Sequence, residues 1–314
     1  MSDPNPAALP TAISAAPPPP KSIKEGGTIV PVREVLWGEM AGTRKLETVE
    51  EMPADMRKLI VRLMVVQADT EFASIQQHRP WLDSAPTLED RWILARIVAD
   101  EARHGLQACR ILRDFGAEGQ VLIDELLAKK EGQHKLDAFN MTFDTWADVG
   151  AFTCFVDRVG VYQLRAFQEC AYGPLARAMP LMLSEEQLHL NFGYNVLRRM
   201  VKDGPKYAGD AAMAQTAVNR WFPRALDMFG HSNSETSRRA IELGIKRWTN
   251  EEARERYMNE ITPLVQTIGL ELPSVDFDRH ILEAELRPPS IGPSSTVKSH
   301  RGAVRPGRGG GAGP

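Results

Sequence analysis

Thiols are scarce in this sequence. Its 314 residues hold three cysteines, Cys109, Cys154 and Cys170. They are widely spaced and form neither a CxxC pair nor an even framework, so reduced thiols in a cytoplasmic protein are expected. Three thiolates also cannot hold a four-cysteine iron–sulfur cluster. An excess of one charge is missing as well. A net charge of -3, with 25% charged residues, gives no basic surplus that would point to nucleic acid as a partner. No stretch reaches eighteen uninterrupted apolar residues, so no membrane span is expected. The proline-broken N-terminal segment has no basic start followed by an apolar run, which argues against a signal peptide. Strand-like alternation and a dinucleotide-binding glycine fingerprint are both absent.

What is present is helical periodicity between Pro/Gly-rich ends. Residues 1–34 and 287–314 are expected to be disordered on composition, leaving one domain over 35–286. Hydrophobic content of 43% over that length is ample for a sizeable core. A helix is predicted over 54–78, with Ile60, Leu63, Met64, Gln67, Glu71, Ser74 and Ile75 on one face. A second begins near Thr87 and runs to about Gly116, burying Ile93, Leu94, Ile97, Glu101, His104, Ala108, Ile111 and Leu112. A third spans about Thr145–Tyr172, with Asp144 as its cap candidate, and buries Val149, Thr153, Cys154, Asp157, Val161 and Leu164. The fourth restarts at Pro174 and runs to about Val201, with Glu186, His189 and Gly193 facing inward. Further helices are expected near 208–229, 235–247 and 250–268. The fold class is therefore all-α.

Each of the four long helices sets an acid within its apolar stripe: Glu71, Glu101, Asp157 and Glu186. Such placement is costly without compensation. Two helices add a histidine at i+3, in "ADEARHG" (Glu101, His104) and "SEEQLHL" (Glu186, His189). Residues i and i+3 lie about 60° apart on the helix and one turn along, so both side chains can reach one ion. Glu71 precedes Glu101 by 30 residues, and Asp157 precedes Glu186 by 29. Each interval fits half a helix, a turn and half of an antiparallel helix, which returns the second acid to the height of the first. The chain thus contains two hairpins of the form acid…ExxH, and the gap from His104 to Asp157 suits the long crossover of a ferritin-like bundle.

Four carboxylates and two histidines form the ligand set of di-iron and di-manganese carboxylate proteins. Two divalent ions would neutralise four carboxylates, and oxygen with imidazole donors suits iron, with manganese as the alternative. Asp157 has a competing role, an ordinary buried salt bridge to Arg158 or Arg165. Asp100 could orient a ligand histidine through its free ring nitrogen, or be a solvated acid. Gln67 and Thr153, one turn before Glu71 and Asp157, could line the pocket or simply pack. His78, His134, His231, His280 and His300 lack such a setting and are assigned surface or capping roles.

Those residues sit in segments that resemble a known family. "LMVVQADTEFASIQQHR" is similar to the first ligand helix of benzoyl-CoA epoxidase. "APTLEDRWILARIVADEARHGL", "TWADVGAFTCFVDRVGVYQL", "YGPLARAMPLMLSEEQLH" and "IKRWTNEEARERY" resemble the catalytic subunit of phenylacetyl-CoA epoxidase. The resemblance covers about residues 50–270, and the family's aspartate on its third ligand helix matches Asp157. It implies a ferritin-like four-helix bundle with additional C-terminal helices. It also implies two irons held by Glu71, Glu101, His104, Asp157, Glu186 and His189, which with O2 epoxidise an aryl-CoA ring. Electrons would come from a separate NAD(P)H-dependent reductase. A helical sister subunit or a homo-oligomer is a further partner the family suggests. The other readings are a ferritin-like oxidase or hydroxylase acting on a non-CoA substrate, and a non-catalytic metal-binding partner subunit.

Overall fold

Four long helices form where the apolar stripes predict them. The computed structural model describes residues 23–25, 28–30 and 33–277. The expected tail over 287–314, the last part of the expected domain, and His280 and His300 lie outside the described residues. Helix α1 spans Ala54–His78, α2 Leu88–Arg113, α4 Trp146–Phe167 and α5 Gly173–Asp203. Between the pairs lies α3, Gly116–Ala128, and after them come α6 (Ala211–Asp227), α7 (Glu235–Glu242) and α8 (Asn250–Thr267). Helix α1 packs on α2 and α4 on α5, while α2 against α5 joins the two hairpins. This is the all-α ferritin-like bundle with extra C-terminal helices.

Several details depart from expectation. The segment 1–34, expected to be unstructured, contains a two-stranded hairpin of Ile23–Glu25 (β1) and Thr28–Val30 (β2). Isoleucine and valine favour strands, and most of the prolines that set the segment's composition lie before residue 21. Helix α2 ends at Arg113 rather than Gly116, and Gly116 (φ 67°) instead starts α3, which falls within the expected crossover. The cap of α4 is Thr145, not Asp144: Thr145 and Asp148 form a reciprocal capping box. Asp144 pairs with Arg220 at 2.8 Å. Helix α7 stops at Glu242, because Gly244 adopts φ 69° and closes the helix through its N–H to Ile241 O at 2.9 Å.

Helix α4 is the centre of the molecule. Nearly every residue is buried, because α5, α6 and α8 surround it. A helix that is apolar all round belongs in a core. Tyr257 of α8 anchors there through its hydroxyl to Phe155 O at 3.3 Å. At the other end, Leu46 pins the α4–α5 turn by donating to Ala171 O and accepting from Gly173 N, both at 2.8 Å.

The apolar interior divides in two. One cluster takes the start of α4, the end of α5 and helices α6 and α8. The other takes the starts of α1 and α5 and the ends of α2 and α4. A polar layer lies between them at mid-height of the bundle. All six of the stripe-facing acids and histidines are in that layer.

Candidate metal centre

The six residues expected as ligands converge, one or two from each bundle helix. Glu71, Glu101, His104 and Glu186 bring one donor atom each within 4.8 Å of one another, and Glu101, Asp157 and His189 form a second such group. Glu101 and Glu186 lie between the two imidazoles. His104 Nδ1 is 3.8 Å from Glu101 and 3.2 Å from Glu186, while His189 Nδ1 is 3.7 Å and 3.3 Å from the same two carboxylates. Glu71 attaches to the His104 side, at 3.6 Å from its Nδ1. The two ring centroids are 6.0 Å apart.

The outer face of each imidazole meets a carboxylate from the opposite hairpin. His104 Nε2 is 3.0 Å from Glu185, and His189 Nε2 is 3.5 Å from Asp100. Asp100 and Glu185 each immediately precede one of the clustered glutamates, and each is paired to an arginine, Arg96 at 2.9 Å and Arg103 respectively. Asp100, read from sequence as either an orienting or a solvated acid, is buried beside His189, and Glu185 was missed. Its signal is the acid doublet itself, since "DE" before "ARH" and "EE" before "QLH" repeat one arrangement.

The remaining polar neighbours sort less evenly. Gln67 donates to Glu71 Oε1, and Ser74 donates to Glu101 Oε1 at 3.0 Å. Thr153 does not line the pocket. It is fully buried, donates to Val149 O at 2.8 Å, and its oxygen lies 3.2 Å from His78 Nε2. His78 and His134 are not surface residues. His78 is fully enclosed between Ser74, Thr153, Phe143 and Phe152, and burial pushes its pKa down to about 4. His134 sits against Asp69 (3.2 Å) and Gln76 (3.1 Å), tying the crossover to α1. Periodicity of α1 and α2 could not reveal either, because the crossover and α4 bury them. Asp157 makes no salt bridge to Arg158 or Arg165, since both of those turn to Glu260.

The electrostatics show what such a cluster requires. Burial and mutual repulsion hold the Glu101 and Asp157 carboxyls well above the usual carboxylate range. Against burial, the carboxylates raise His104 to about 9 and His189 to about 10. Against burial too, the imidazoles hold Glu186 down to about 2, and hydrogen bonds from Glu101 and His104 lower Glu71. Both Nδ1 atoms, His189 Nε2, Asp157 Oδ2 and Glu186 Oε2 are nonetheless buried without a hydrogen-bond partner. Unpartnered nitrogen and oxygen atoms aimed at one another across a buried layer fit a pair of cations, and the donor set fits iron or manganese.

A narrow cleft reaches the layer between α1 and α4. Its floor is Glu71, Glu101, Asp157 and Glu186, and its walls include Thr70, Phe139, Val156, Gly160 and Met228. Gln67 is in the wall as well, one of the two roles expected of it, but the other wall residues carry no signal in the sequence. They come from four separate segments, so no local pattern joins them.

Comparison with known proteins agrees with this architecture. The family model described as "Phenylacetic acid catabolic protein" matches residues 38–281. The chain is 31% identical over 234 residues to a subunit of 1,2-phenylacetyl-CoA epoxidase from Escherichia coli (strain K12), covering 74% of each chain. It is 32% identical over 175 residues to benzoyl-CoA oxygenase component B of Aromatoleum evansii, covering 54% of this chain and 36% of that one. Among the described residues no helix is long and apolar enough to cross a membrane. With the family model matching most of its length, the chain belongs to the phenylacetic acid catabolic protein family.

Proposed function

We propose that this chain is the oxygenase component of an enzyme that epoxidises the ring of an aryl-CoA thioester, of the phenylacetyl-CoA or benzoyl-CoA type. Glu71, Glu101, His104, Asp157, Glu186 and His189 would hold two irons, with manganese as the alternative metal. Bound there, the metal pair supplies the O2-activating redox chemistry that protein side chains lack. The observation that carries this reading is the buried convergence of two acid…ExxH hairpins, with both inward-facing Nδ1 atoms unpartnered. Relatives named for phenylacetyl-CoA epoxidation and benzoyl-CoA oxygenation supply the substrate class.

The protein's own residues position and enclose. Glu185 takes the outer nitrogen of His104 and Asp100 faces that of His189 at 3.5 Å, so that each Nδ1 is turned toward the layer. Gln67 and Ser74 hold the carboxylates of Glu71 and Glu101. Phe139, Val156 and Met228 put apolar surface on the wall of the narrow cleft, which limits water beside the acids. The sequence offers neither a dinucleotide fingerprint nor enough cysteine for a cluster, so electrons come from a separate NAD(P)H-dependent reductase. Both relatives are named as parts of larger enzymes, which supports work alongside partner proteins.

The test is direct. Iron-loaded protein is reduced, exposed to O2 with phenylacetyl-CoA or benzoyl-CoA, and the CoA products are weighed by mass spectrometry. A product heavier by one oxygen atom is expected. Full iron occupancy with no oxygenated thioester from either substrate overturns the proposal.

A further inference from the structure

One hydroxyl beside the clustered acids has two acceptors within reach. Ser74 Oγ lies 3.0 Å from Glu101 Oε1 and 3.1 Å from His78 Nδ1. A serine has a single proton to give, so only one of them takes it. The choice rests with His78. Burial lowers its pKa to about 4, so near neutral pH the ring carries one proton, on one of its two nitrogens.

The surroundings decide which nitrogen. Nδ1 is 2.9 Å from Ser74 O, and a carbonyl oxygen only accepts. Nε2 faces the Thr153 hydroxyl at 3.2 Å, a group that donates once it rotates. Thr153 Oγ1 also reaches Val149 O at 2.8 Å, but α4 already supplies that carbonyl with the Thr153 backbone N–H. The hydroxyl can adapt and the carbonyl cannot, so the proton belongs on Nδ1. Phe143 and Phe152 meet the ring edge-on, at centroid distances of 5.2 and 5.4 Å, and hold its plane. A protonated Nδ1 does not accept from Ser74, which leaves the serine proton for Glu101.

The oxygen that receives it has a side. Glu101 Oε1 is the one near His189 Nδ1, at 3.7 Å, whereas Oε2 lies toward His104, at 3.8 Å. The Ser74 bond therefore acts on the group formed by Glu101, Asp157 and His189.

We infer that His78 is a positioning residue, whose Nδ1–H tautomer commits the Ser74 hydroxyl to Glu101 Oε1 and so aims that carboxylate at the ion on the His189 side. The inference rests on the metal pair proposed above and adds the residue that orients one of its ligands from behind.

Two measurements test it. Imidazole nitrogen NMR reads the tautomer in metal-free wild-type protein, and calorimetry with ferrous iron, without oxygen, reads the two binding steps. A proton on His78 Nδ1 and none on Nε2 is expected. Ser74→Ala and His78→Leu should each weaken one step about tenfold or more, the step that Asp157→Ala also weakens, and leave the other unchanged. The double variant should lose no more than either single one, since both act through the same hydrogen bond. His78→Asn, whose amide nitrogen donates from the place of Nδ1, should keep the wild-type steps. A bare Nδ1 in wild-type protein overturns the inference, and needs no variant that folds. So do additive losses in the double variant, losses shared equally by both steps, or single variants that bind iron as wild type does. Any of these with two irons still bound by wild-type protein leaves the proposed function standing. Wild-type protein that takes up no pair of irons overturns that function, and the inference with it.

Discussion

The two hairpins bring matching acid…ExxH sets to one layer, yet they pack by different means. In the first, Gly105 of α2 makes room for the ring of Phe72, which a Cβ would approach to 2.5 Å. A side chain fills the gap between α1 and α2. In the second, glycines let the helices touch: a Cβ on Gly193 would lie 2.4 Å from the Cys154 backbone nitrogen and 2.8 Å from Gly150 O. Gly193 sits one turn beyond His189, and Cys154 one turn before Asp157. The hairpin whose backbones touch carries the shorter acid, Asp157, and the one spaced by a ring carries Glu71.

Four perturbations break or sharpen that comparison. The largest effect is expected where the hairpins share a residue. Glu101 belongs to both donor groups, so Glu101→Ala should lower metal occupancy for both ions at least a hundredfold in affinity, more than losing an outer-shell partner. Asp157→Ala touches one group and should spare the other; metal analysis after dialysis separates the two patterns.

The next effect tests backbone contact against ring contact. Gly193→Val drives a side chain into immovable main chain and should destabilise the protein by about 3 kcal/mol, the upper end of overpacking costs. Gly105→Ala should cost clearly less, because the Phe72 ring can shift. Equal losses in urea melts would mean that the two hairpins are packed alike.

His78 reports on the seam between the halves, since it runs from Ser74 on α1 to Thr153 on α4. Its pKa is lowered to about 4 in the folded protein from 6.5. Between those values the unfolded chain binds a proton that the folded one refuses. Stability is therefore full above pH 6.5 and falls as pH drops toward 4, by up to about 3 kcal/mol. The variant His78→Gln should flatten that part of the pH–stability curve. An unchanged slope would show that another group is responsible.

The smallest effect concerns the outer carboxylates. Asp100→Asn and Glu185→Gln should each weaken metal binding about tenfold to a hundredfold. The Glu185 variant should be the more damaging, because its contact to His104 is 3.0 Å against 3.5 Å for Asp100 and His189. A reversed order would mean that the two histidines are not held by equivalent pairs.

How far the site could be seen beforehand differed by residue. Glu71, Glu101, His104, Glu186 and His189 were visible because each breaks an apolar stripe, and a polar group on a buried face demands a partner. Asp157 was ambiguous beside Arg158, and only the turn of both neighbouring arginines toward Glu260 removed the salt-bridge alternative. Helix α3 was passed over because the glycine at its start looked like an end signal, which it is for α2. His78 and His134, assigned surface or capping roles, are buried because each faces an element remote in sequence, of which helical periodicity says nothing.

Periodicity and spacing by themselves determined the bundle, its two hairpins and the acids and histidines that share a layer. They do so because 3.6 residues per turn assigns each side chain a face, and equal arms of a hairpin assign it a height. The tertiary structure decided how the hairpins meet. It pairs Asp100 with His189 and Glu185 with His104, across the bundle rather than within a hairpin. It also opens a cleft between α1 and α4. Both depend on the distance between helices, which side-chain volumes and glycine contacts settle only once all the elements are packed.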